Sequence, residues 1–316
     1  MPGTSPTPDP VATVPPGTPG GTVSAAGLSR RWALGFLTPA MLLIGVFLAF
    51  PAVWTLYLGL TNFRLLGPQA LHTKFIGAGN YQQALTGGDF LHSLYITVIY
   101  VLLSAVIGQC VLGFALAWVF RSWRGPLRRV LESLIIVAWI VPGSVVAFLW
   151  LAYLQGNIGP LTETGTLNTI LGGIGVNWWL QWPMLSIVVF NIWRGTAFSM
   201  LLFGAAIQAI PPSYIETARV AGASSWQLLR DIVIPRSRGH ILTNLLLISL
   251  WTFNDFTPYL LTGGGPGNQT QFLPVYIYQQ AFDQGALGYG AAISTLVLLI
   301  NLVIALAYMQ ILKERR

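Results

Sequence analysis

The stretch PPSYIETARVAGASSWQLLRDIVIP, residues 211–235, is a long polar segment between two apolar runs. Its opening pair of prolines ends the preceding helix, because proline lacks the backbone N–H that a helix interior needs. Ser213 and Glu216 have the spacing of a capping box, in which each side chain accepts a hydrogen bond from the other residue's backbone N–H. We therefore predict a short helix from about residue 214 to residue 221.

The second half of this segment predicts a turn and another short helix. Gly222 suits a chain reversal, because glycine adopts left-handed backbone conformations without steric cost. Ser224 or Ser225 can cap a helix that extends to about Ile232, and Pro235 follows it. A helix–turn–helix of this kind either docks another protein or lies as an amphipathic helix on a membrane surface, and the residues alone leave both open.

Composition indicates where this polar segment must lie. The chain has 316 residues, of which 54% are hydrophobic and 8% charged, whereas a typical soluble domain is about 25% charged. The composition therefore favours a membrane protein. The net charge of +7 does not indicate nucleic-acid binding, because the basic residues form no binding stripe. The single cysteine, Cys110, excludes an internal disulfide, and no metal-binding pattern of cysteines is present.

Six apolar stretches are long enough to cross a bilayer, which takes about 20 residues in a helix. Because a backbone in lipid must satisfy its own hydrogen bonds, we predict that all six are helices. They are residues 33–54, 93–119, 131–154, 184–206, 241–262 and 289–312. The expected fold class is all-α, with one six-span domain over residues 30–316. Residues 1–29 are rich in Pro, Gly and Thr, which predicts a disordered cytoplasmic tail.

Basic residues lie mainly in alternate connections between the predicted spans. Thirteen of the 16 Lys and Arg residues occur before the first span, after the second, after the fourth and after the sixth. Positive charges in short connections stay on the cytoplasmic side. We therefore predict that both termini and the 211–235 segment are cytoplasmic. Arg30 and Arg31 are interpreted as part of this pattern, with a twin-arginine export signal as the alternative.

The 211–235 segment resembles the cytoplasmic signature of permease subunits of ATP-binding-cassette (ABC) importers. That signature is Glu-Ala-Ala, three residues, Gly, nine residues, and then Ile-x-Leu-Pro. At the same spacing this sequence has Glu216, Thr217, Ala218, Gly222, Ile232 and Pro235. Thr217 and Ile234 depart from the signature by small or isosteric changes. Two further stretches, FIGAGNYQQAL (75–85) and YLLTGGGPGNQTQFLPVYIYQQAF (259–282), are similar to the maltose-type sugar permeases.

The resemblance implies a type I-like importer permease in the bacterial plasma membrane, with the signature residues as a coupling helix against an ATPase. It implies uptake of a sugar or a related polar solute by alternating access. It also implies a second permease subunit, two ATPase subunits that bind ATP and Mg, and an extracytoplasmic solute-binding protein. The chain itself would then bind no cofactor.

The sequence contains no recognisable ATPase motif or catalytic centre. A phosphate-binding loop ends in Gly-Lys-Ser/Thr, and neither Lys74 nor Lys313 has that context. No Ser-His-Asp, Cys-His or paired-carboxylate pattern is present either. We therefore predict a translocation subunit without enzymatic activity. The alternatives are an ion-coupled secondary transporter, for which Asp255 is the only candidate acid, and a non-catalytic structural membrane subunit.

Ionisable residues within a span are energetically costly and usually functional. Arg194 lies in the fourth predicted span and Asp255 in the fifth. Asn191 shares a helix face with Arg194, and Asn254 adjoins Asp255. Three roles are open for Arg194: pairing with Asp255 or Asn254, a tether to backbone carbonyls, or direct contact with the substrate.

Aromatic residues add candidates for the transport path, because sugar rings stack on aromatic faces. Trp139 and Tyr259 lie within or near predicted spans and could line such a path. Pro142 and Gly143 interrupt the third span. Such a break is tolerated in a membrane where neighbouring groups satisfy the backbone, so we expect this helix to bend beside the pathway.

Overall fold

The computed structural model describes residues 30–156 and 165–313. Within those ranges the chain is predominantly helical, with one isolated backbone bridge between Thr61 and Phe75. The predicted N-terminal tail, 1–29, lies outside the described residues. Contacts group the chain into two compact units whose boundary falls between Ala52 and Val53.

The N-terminal unit is helical over its described residues. It contains α1 (Arg30–Ile44), a π-helical turn (Gly45–Ala49) and the first residues of α2 (Phe50–Gly59). These elements run on from one another and form an apolar helix of 25 residues, Gly35–Gly59, which is long enough to cross a bilayer.

The larger unit contains the remaining helices. Before the polar segment these are α3 (Pro68–Leu71), α4 (Gly79–Thr86), α5 (Gly88–Tyr100), α6 (Cys110–Ser122), α7 (Pro126–Ile140), α8 (Gly143–Leu154), α9 (Thr166–Ile170), α10 (Trp178–Gln181) and α11 (Pro183–Gln208). From the polar segment onward they are α12 (Pro212–Val220), α13 (Ser225–Leu228), α14 (Ile234–Arg236), α15 (Arg238–Phe253), α16 (Thr257–Thr262), α17 (Leu273–Tyr278) and α18 (Leu287–Lys313). π-Helical segments follow α5 (Val101–Gln109), α13 (Leu229–Val233) and α17 (Gln279–Asp283).

Four helical stretches of the described chain are long and apolar enough to cross a membrane. They are Gly35–Gly59, Gly88–Ser122, Pro183–Gln208 and Leu287–Ile311. They correspond to the first, second, fourth and sixth predicted spans, with ends that differ from the predicted ones by one to five residues. The prediction of six continuous spans is not confirmed, because the third and fifth are interrupted.

The third predicted span is a bent pair of helices. α7 and α8 meet at 106°, and together they qualify as a fifth crossing if the pair is counted as one span. Pro142 causes the break, since a proline disfavours helical backbone in the residue before it. Val141 accordingly adopts an extended conformation with ψ 134°.

The fifth predicted span, 241–262, is wrong as a continuous helix. α15 ends at Phe253 after 16 residues, and α16 begins only at Thr257. Pro258 explains the gap, because the ring of a helical proline clashes with the carbonyl four residues earlier, here that of Asn254. α15 alone is therefore shorter than the roughly 20 residues that cross a bilayer.

α11 is the central helix of the larger unit. It packs against α6, α7 and α15, and its side chains Ile187, Phe190 and Phe203 are completely buried. A helix surrounded in this way has few positions that reach open space. Arg194 lies near its middle and faces one of the cavities described below.

The first helix of the polar segment starts differently from the prediction. α12 begins at Pro212, and no side-chain hydrogen bond caps it, so the predicted capping box of Ser213 and Glu216 is wrong. Proline is favourable at the first helical position because its fixed φ suits the helix and its missing N–H would have no partner there. The helix therefore starts two residues earlier than predicted.

The turn and the second helix follow the prediction more closely. Gly222 has φ +81°, its N–H donates to the Arg219 carbonyl at 3.0 Å, and Ala223 N donates to the Ala218 carbonyl at 2.9 Å. This hydrogen-bond pattern ends a helix with a left-handed glycine. The predicted reversal at Gly222 is thus present.

A capping box occurs at the second helix instead. Gln227 N donates to Ser224 Oγ at 3.3 Å, and Ser224 N donates to Gln227 Oε1 at 2.7 Å. The helical backbone then continues through a π-helical turn into α14, so Pro235 lies inside a helix rather than after one. The π-helical turn accommodates this proline because it already interrupts the regular hydrogen-bond ladder.

Candidate transport cavity and coupling segment

A cavity of about 270 Å³ lies where α11 and α15 approach the bend of the third span. Its walls combine charged, amide, hydroxyl and aromatic side chains. They include Gln109, Trp139, Asn191, Arg194, Phe198, Trp251, Thr252 and Asp255. Four of the six predicted path residues, Trp139, Asn191, Arg194 and Asp255, are therefore brought together.

Arg194 and Asp255 are adjacent in this cavity. Arg194 Nη1 lies 3.5 Å from Asp255 Oδ2, and the two side chains are 28% and 15% exposed. This separation is longer than the roughly 2.7–2.9 Å of a charge-assisted hydrogen bond, so the contact is a loose ion pair. The pair is thus partly open to the cavity, and both groups can exchange this contact for one with a polar solute.

Thr257 connects the two charged groups, and the sequence did not single it out. Its hydroxyl accepts a hydrogen bond from Arg194 Nη1 at 3.1 Å and donates to Asp255 Oδ1 at 2.6 Å. The backbone N–H of Thr257 also donates to Asp255 Oδ1 at 3.0 Å. An Asp that accepts from the backbone two residues ahead is a common turn, so the pattern Asp-x-Thr-Pro was the available signal.

Gly143 provides the space for the Arg194 guanidinium. A Cβ at this position would lie 2.9 Å from Arg194 Nη2, 3.1 Å from its Cζ and 3.3 Å from Thr257 Oγ1. Gly143 is the first residue of α8, immediately after the bend of the third span. The breaks in the third and fifth spans therefore meet at one arginine.

Asn191 joins three helical segments. Its Nδ2 donates to Ser104 Oγ at 2.8 Å and to Thr252 Oγ1 at 3.3 Å, and its carbonyl accepts from Gln109 Nε2 at 3.0 Å. These bonds hold the wall of the cavity below Arg194. Gln109 and Thr252 were missed by the sequence reasoning, although a glutamine inside an apolar run is a recognisable signal.

Asn254 and Tyr259 do not line this cavity. Asn254 exchanges hydrogen bonds with Asn301 of α18, at 3.3 and 3.0 Å, and donates to the Leu250 carbonyl at 2.7 Å. Tyr259 stacks on Phe256 with ring centroids 4.9 Å apart. The break after Phe253 turns both residues away from the position that a continuous helix would have given them.

The 211–235 segment presents a shallow groove of about 420 Å³ between α12 and the helix that follows the turn. It is lined by Ser213, Tyr214, Thr217, Ala218, Ala221 and Ile232. Glu216 and Gly222 are exposed beside it, and Pro235 is half-buried outside it. Arg236 lies over the Tyr214 ring, 3.5 Å from its centroid. Three of the six signature residues, Thr217, Ala218 and Ile232, thus line this groove.

No group of three or more His, Cys, Asp or Glu side chains in the described parts of the chain is arranged to hold a metal ion. The wall of the cavity itself offers one cation, one anion, hydroxyl and amide groups, and the side chains of Trp139 and Trp251.

A family model described as "Binding-protein-dependent transport system inner membrane component" matches residues 109–315. The chain belongs to this family. It is an integral membrane protein, and the resemblance seen in the 211–235 segment is confirmed. Residues 109–315 include the cavity, the bend of the third span and the whole 211–235 segment.

Relatives of this permease extend over most of the chain. A probable ABC transporter permease of Pyrococcus horikoshii is 32% identical over 87% of this chain and 93% of its own length. The trehalose/maltose transport system permease protein MalF of Thermococcus litoralis is 29% identical over 91% of this chain and 96% of its own length. Because such relatives are permease subunits, the chain is a translocation subunit of an ABC transporter and not its ATPase.

The fold is also that of a solved transporter. A chain in the crystal structure of a bacterial alginate ABC transporter, in complex with an alginate pentasaccharide-bound periplasmic protein, superimposes with a TM-score of 0.74. The match covers 88% of this permease and 93% of that chain at 21% identity. At this identity the similarity shows a common fold alone.

Proposed function

We propose that this permease imports a carbohydrate or a related polar solute, driven by ATP hydrolysis on separate subunits. The observation that carries this proposal is the cavity whose wall combines Arg194, Asp255 and Asn191 with Trp139 and Trp251. A sugar has hydroxyl groups around its edge and apolar C–H faces, so it needs both kinds of wall. Because the chain belongs to a binding-protein-dependent transport family, we propose that transport runs into the cell rather than out of it.

Arg194 and Asp255 can bind a sugar that carries no charge. Arg194 donates in the plane of its guanidinium and Asp255 only accepts, so together they complement the donor and acceptor of neighbouring sugar hydroxyls. The 3.5 Å separation leaves each group with unused hydrogen-bonding capacity. In this proposal Trp139 supplies the stacking face, and alternating access opens the cavity to one side at a time.

Coupling to ATP hydrolysis is assigned to the 211–235 segment. Glu216, Thr217, Ala218, Gly222, Ile232 and Pro235 are the proposed contact residues for an ATPase subunit. The groove beside α12 supports this, because Ala218 and Ala221 let another backbone approach closely. The basic connections support a cytoplasmic position for this segment and for both termini. ATP and Mg would be bound by the partner subunits and not by this chain.

The opposite face offers a place for the solute-binding protein. The loop TGGGPG, residues 262–267, is held by hydrogen bonds: Thr270 Oγ1 donates to the Gly265 carbonyl at 2.7 Å and Gln279 Nε2 to the Gly263 carbonyl at 2.9 Å. A loop fixed in this way can present its backbone to a partner with little loss of entropy. The complete importer would also contain a second permease and two copies of the ATPase.

Reconstitution tests this proposal against an ion-coupled transporter. The tagged chain is purified from its native membranes, its associated subunits are identified by mass spectrometry, and the assembly is placed in proteoliposomes. We expect uptake of a radiolabelled sugar, from a panel that includes trehalose and maltose, only with ATP and the solute-binding protein. Uptake driven by a proton or sodium gradient without ATP would overturn it. Undiminished uptake by an assembly that lacks this chain would show a structural subunit instead.

A further inference from the structure

A second cavity, of about 450 Å³, lies between α6, α7 and α11. It shares no lining residue with the transport cavity. It is formed where α6 ends and α7 begins, next to one of the basic connections that the charge pattern places in the cytoplasm. Phe120, Ile136, Met200 and Leu201 give it an apolar wall, and Arg121, Arg128 and Glu132 give it charge.

Two of these charges compensate each other. Arg128 Nε lies 2.8 Å from Glu132 Oε1, and Arg128 Nη1 donates to the Trp123 carbonyl at 3.2 Å. This pair therefore uses the only carboxylate in the cavity wall. Arg121 is different, because no described carboxylate lies within ion-pair distance of it, and its positive charge is left uncompensated.

The surroundings of Arg121 favour an added anion. Its guanidinium lies over the Trp118 ring, 3.9 Å from the centroid. Stacking occupies the face of the guanidinium and leaves the N–H groups, which point along its plane, available to a ligand. The positive charge of Arg219, at the end of α12, also acts on Arg121. An anion bound by Arg121 would offset this like-charge repulsion.

We propose that this cavity binds the phosphate group of an acidic phospholipid of the cytoplasmic leaflet. Arg121 donates to the phosphate, because a guanidinium matches two phosphate oxygens at once. The apolar wall of Phe120, Met200 and Leu201 packs against the upper part of an acyl chain. A lipid supplies both parts, whereas a free phosphate would leave the apolar wall without a partner. Basic cavities between helices on the cytoplasmic side suit such headgroups.

Native mass spectrometry of the complete transporter tests this inference. The assembly is purified in detergent, and phosphatidylglycerol, phosphatidylcholine or inorganic phosphate is added. We expect phosphatidylglycerol to be retained in preference to phosphatidylcholine, and Arg121→Gln to reduce this retention about fivefold, as expected for one arginine at a lipid headgroup. Arg124→Gln is the matched control, because it removes the same charge from an exposed position in the same connection. It should leave retention unchanged.

Three other outcomes would overturn the proposal. Equal losses in Arg121→Gln and Arg124→Gln would show attraction to the surface in general, and displacement of the lipid by inorganic phosphate would show a site for a free anion. Loss of the ATPase subunits from Arg121→Gln with lipid retention intact would show that a protein carboxylate faces Arg121. Arg121→Lys keeps the charge without the bidentate geometry and should lose less lipid than Arg121→Gln. Normal assembly of Arg121→Gln by gel filtration separates loss of a ligand from loss of folding.

Discussion

Arg194 and Asp255 are 61 residues apart in sequence, yet Arg194 Nη1 lies 3.5 Å from Asp255 Oδ2 inside the transport cavity. The fourth span supplies the cation, and the break after α15 supplies the anion. Because an unpaired charge at the centre of a membrane helix is unfavourable by roughly 2.5–3.5 kcal/mol on insertion scales, we expect each residue to stabilise the other. The contact is also partly exposed to the cavity, as the proposed role in substrate binding requires.

Removal of one member of this pair should be worse than removal of both. Arg194→Ala leaves an unpaired carboxylate and Asp255→Ala an unpaired guanidinium, and breaking a pair in this way costs more than replacing it. We expect the double variant to recover part of the lost transport, with an interaction energy of about 1 kcal/mol or more in the double-mutant cycle. Uptake in vesicles at matched protein levels measures this. Losses that simply multiply in the double variant would show that the two residues act separately.

The hydroxyl of Thr257 should be required for transport. Thr257→Val keeps the shape but removes both hydrogen bonds, and bonds to charged groups contribute about 1.5–3 kcal/mol each. We expect the uptake rate to fall about tenfold or more, by the conversion of 1.4 kcal/mol to a factor of ten. Thr257→Ser keeps the hydroxyl and should remain within about threefold of the original rate. Equal behaviour of the two variants would assign Thr257 a packing role only.

Gly143 should tolerate no side chain while Arg194 is in place. In Gly143→Ala the new methyl group would lie 2.9 Å from Arg194 Nη2, so the guanidinium must leave its contact with Thr257. We expect normal membrane insertion and reduced uptake. Gly239→Ala is the control, because nothing lies within 4 Å of the added Cβ. If Gly143→Ala transports as well as Gly239→Ala, then the guanidinium position is not essential.

A bulky residue at Gly222 should uncouple the permease from its ATPase. The φ of +81° is strained for any other residue, by about 1–2 kcal/mol, and the indole of Gly222→Trp would also cover the proposed contact face. We expect membrane insertion to persist while the ATPase no longer co-purifies. Gly267→Trp is the matched control, since Gly267 has φ +56° with nothing within 4 Å of an added Cβ, and it lies in the opposite connection. Loss of the ATPase from both variants would point to general instability.

Single introduced cysteines should show on which side of the membrane each connection lies. Leu71 and Val220 are 84% and 91% exposed, in connections predicted to lie outside and inside. In a Cys110→Ala background, Leu71→Cys should react with a membrane-impermeant thiol reagent added to intact cells. Val220→Cys should react only after the membrane is opened. Labelling of Val220→Cys in intact cells would reverse the proposed orientation.

Sequence by itself determined the properties that depend on neighbours along the chain. Composition gave the membrane class, because the transfer of apolar residues into lipid is a property of each segment. The bend at Pro142 and the reversal at Gly222 were predictable for the same reason, since each depends on the backbone of one or two residues. The match of the 211–235 segment to a permease signature then indicated the family.

Only the tertiary structure decided which polar groups meet. The break caused by Pro258 turned Asn254 towards Asn301 and left Asp255 facing Arg194. A continuous fifth helix, as predicted, would have kept these residues on a regular helical surface. The position of Thr257 between the two charges and the space at Gly143 depend on α8, α11 and α16 packing together. Contacts of this kind join residues far apart in the chain, and the helical periodicity of one segment carries no information about its rotation against another.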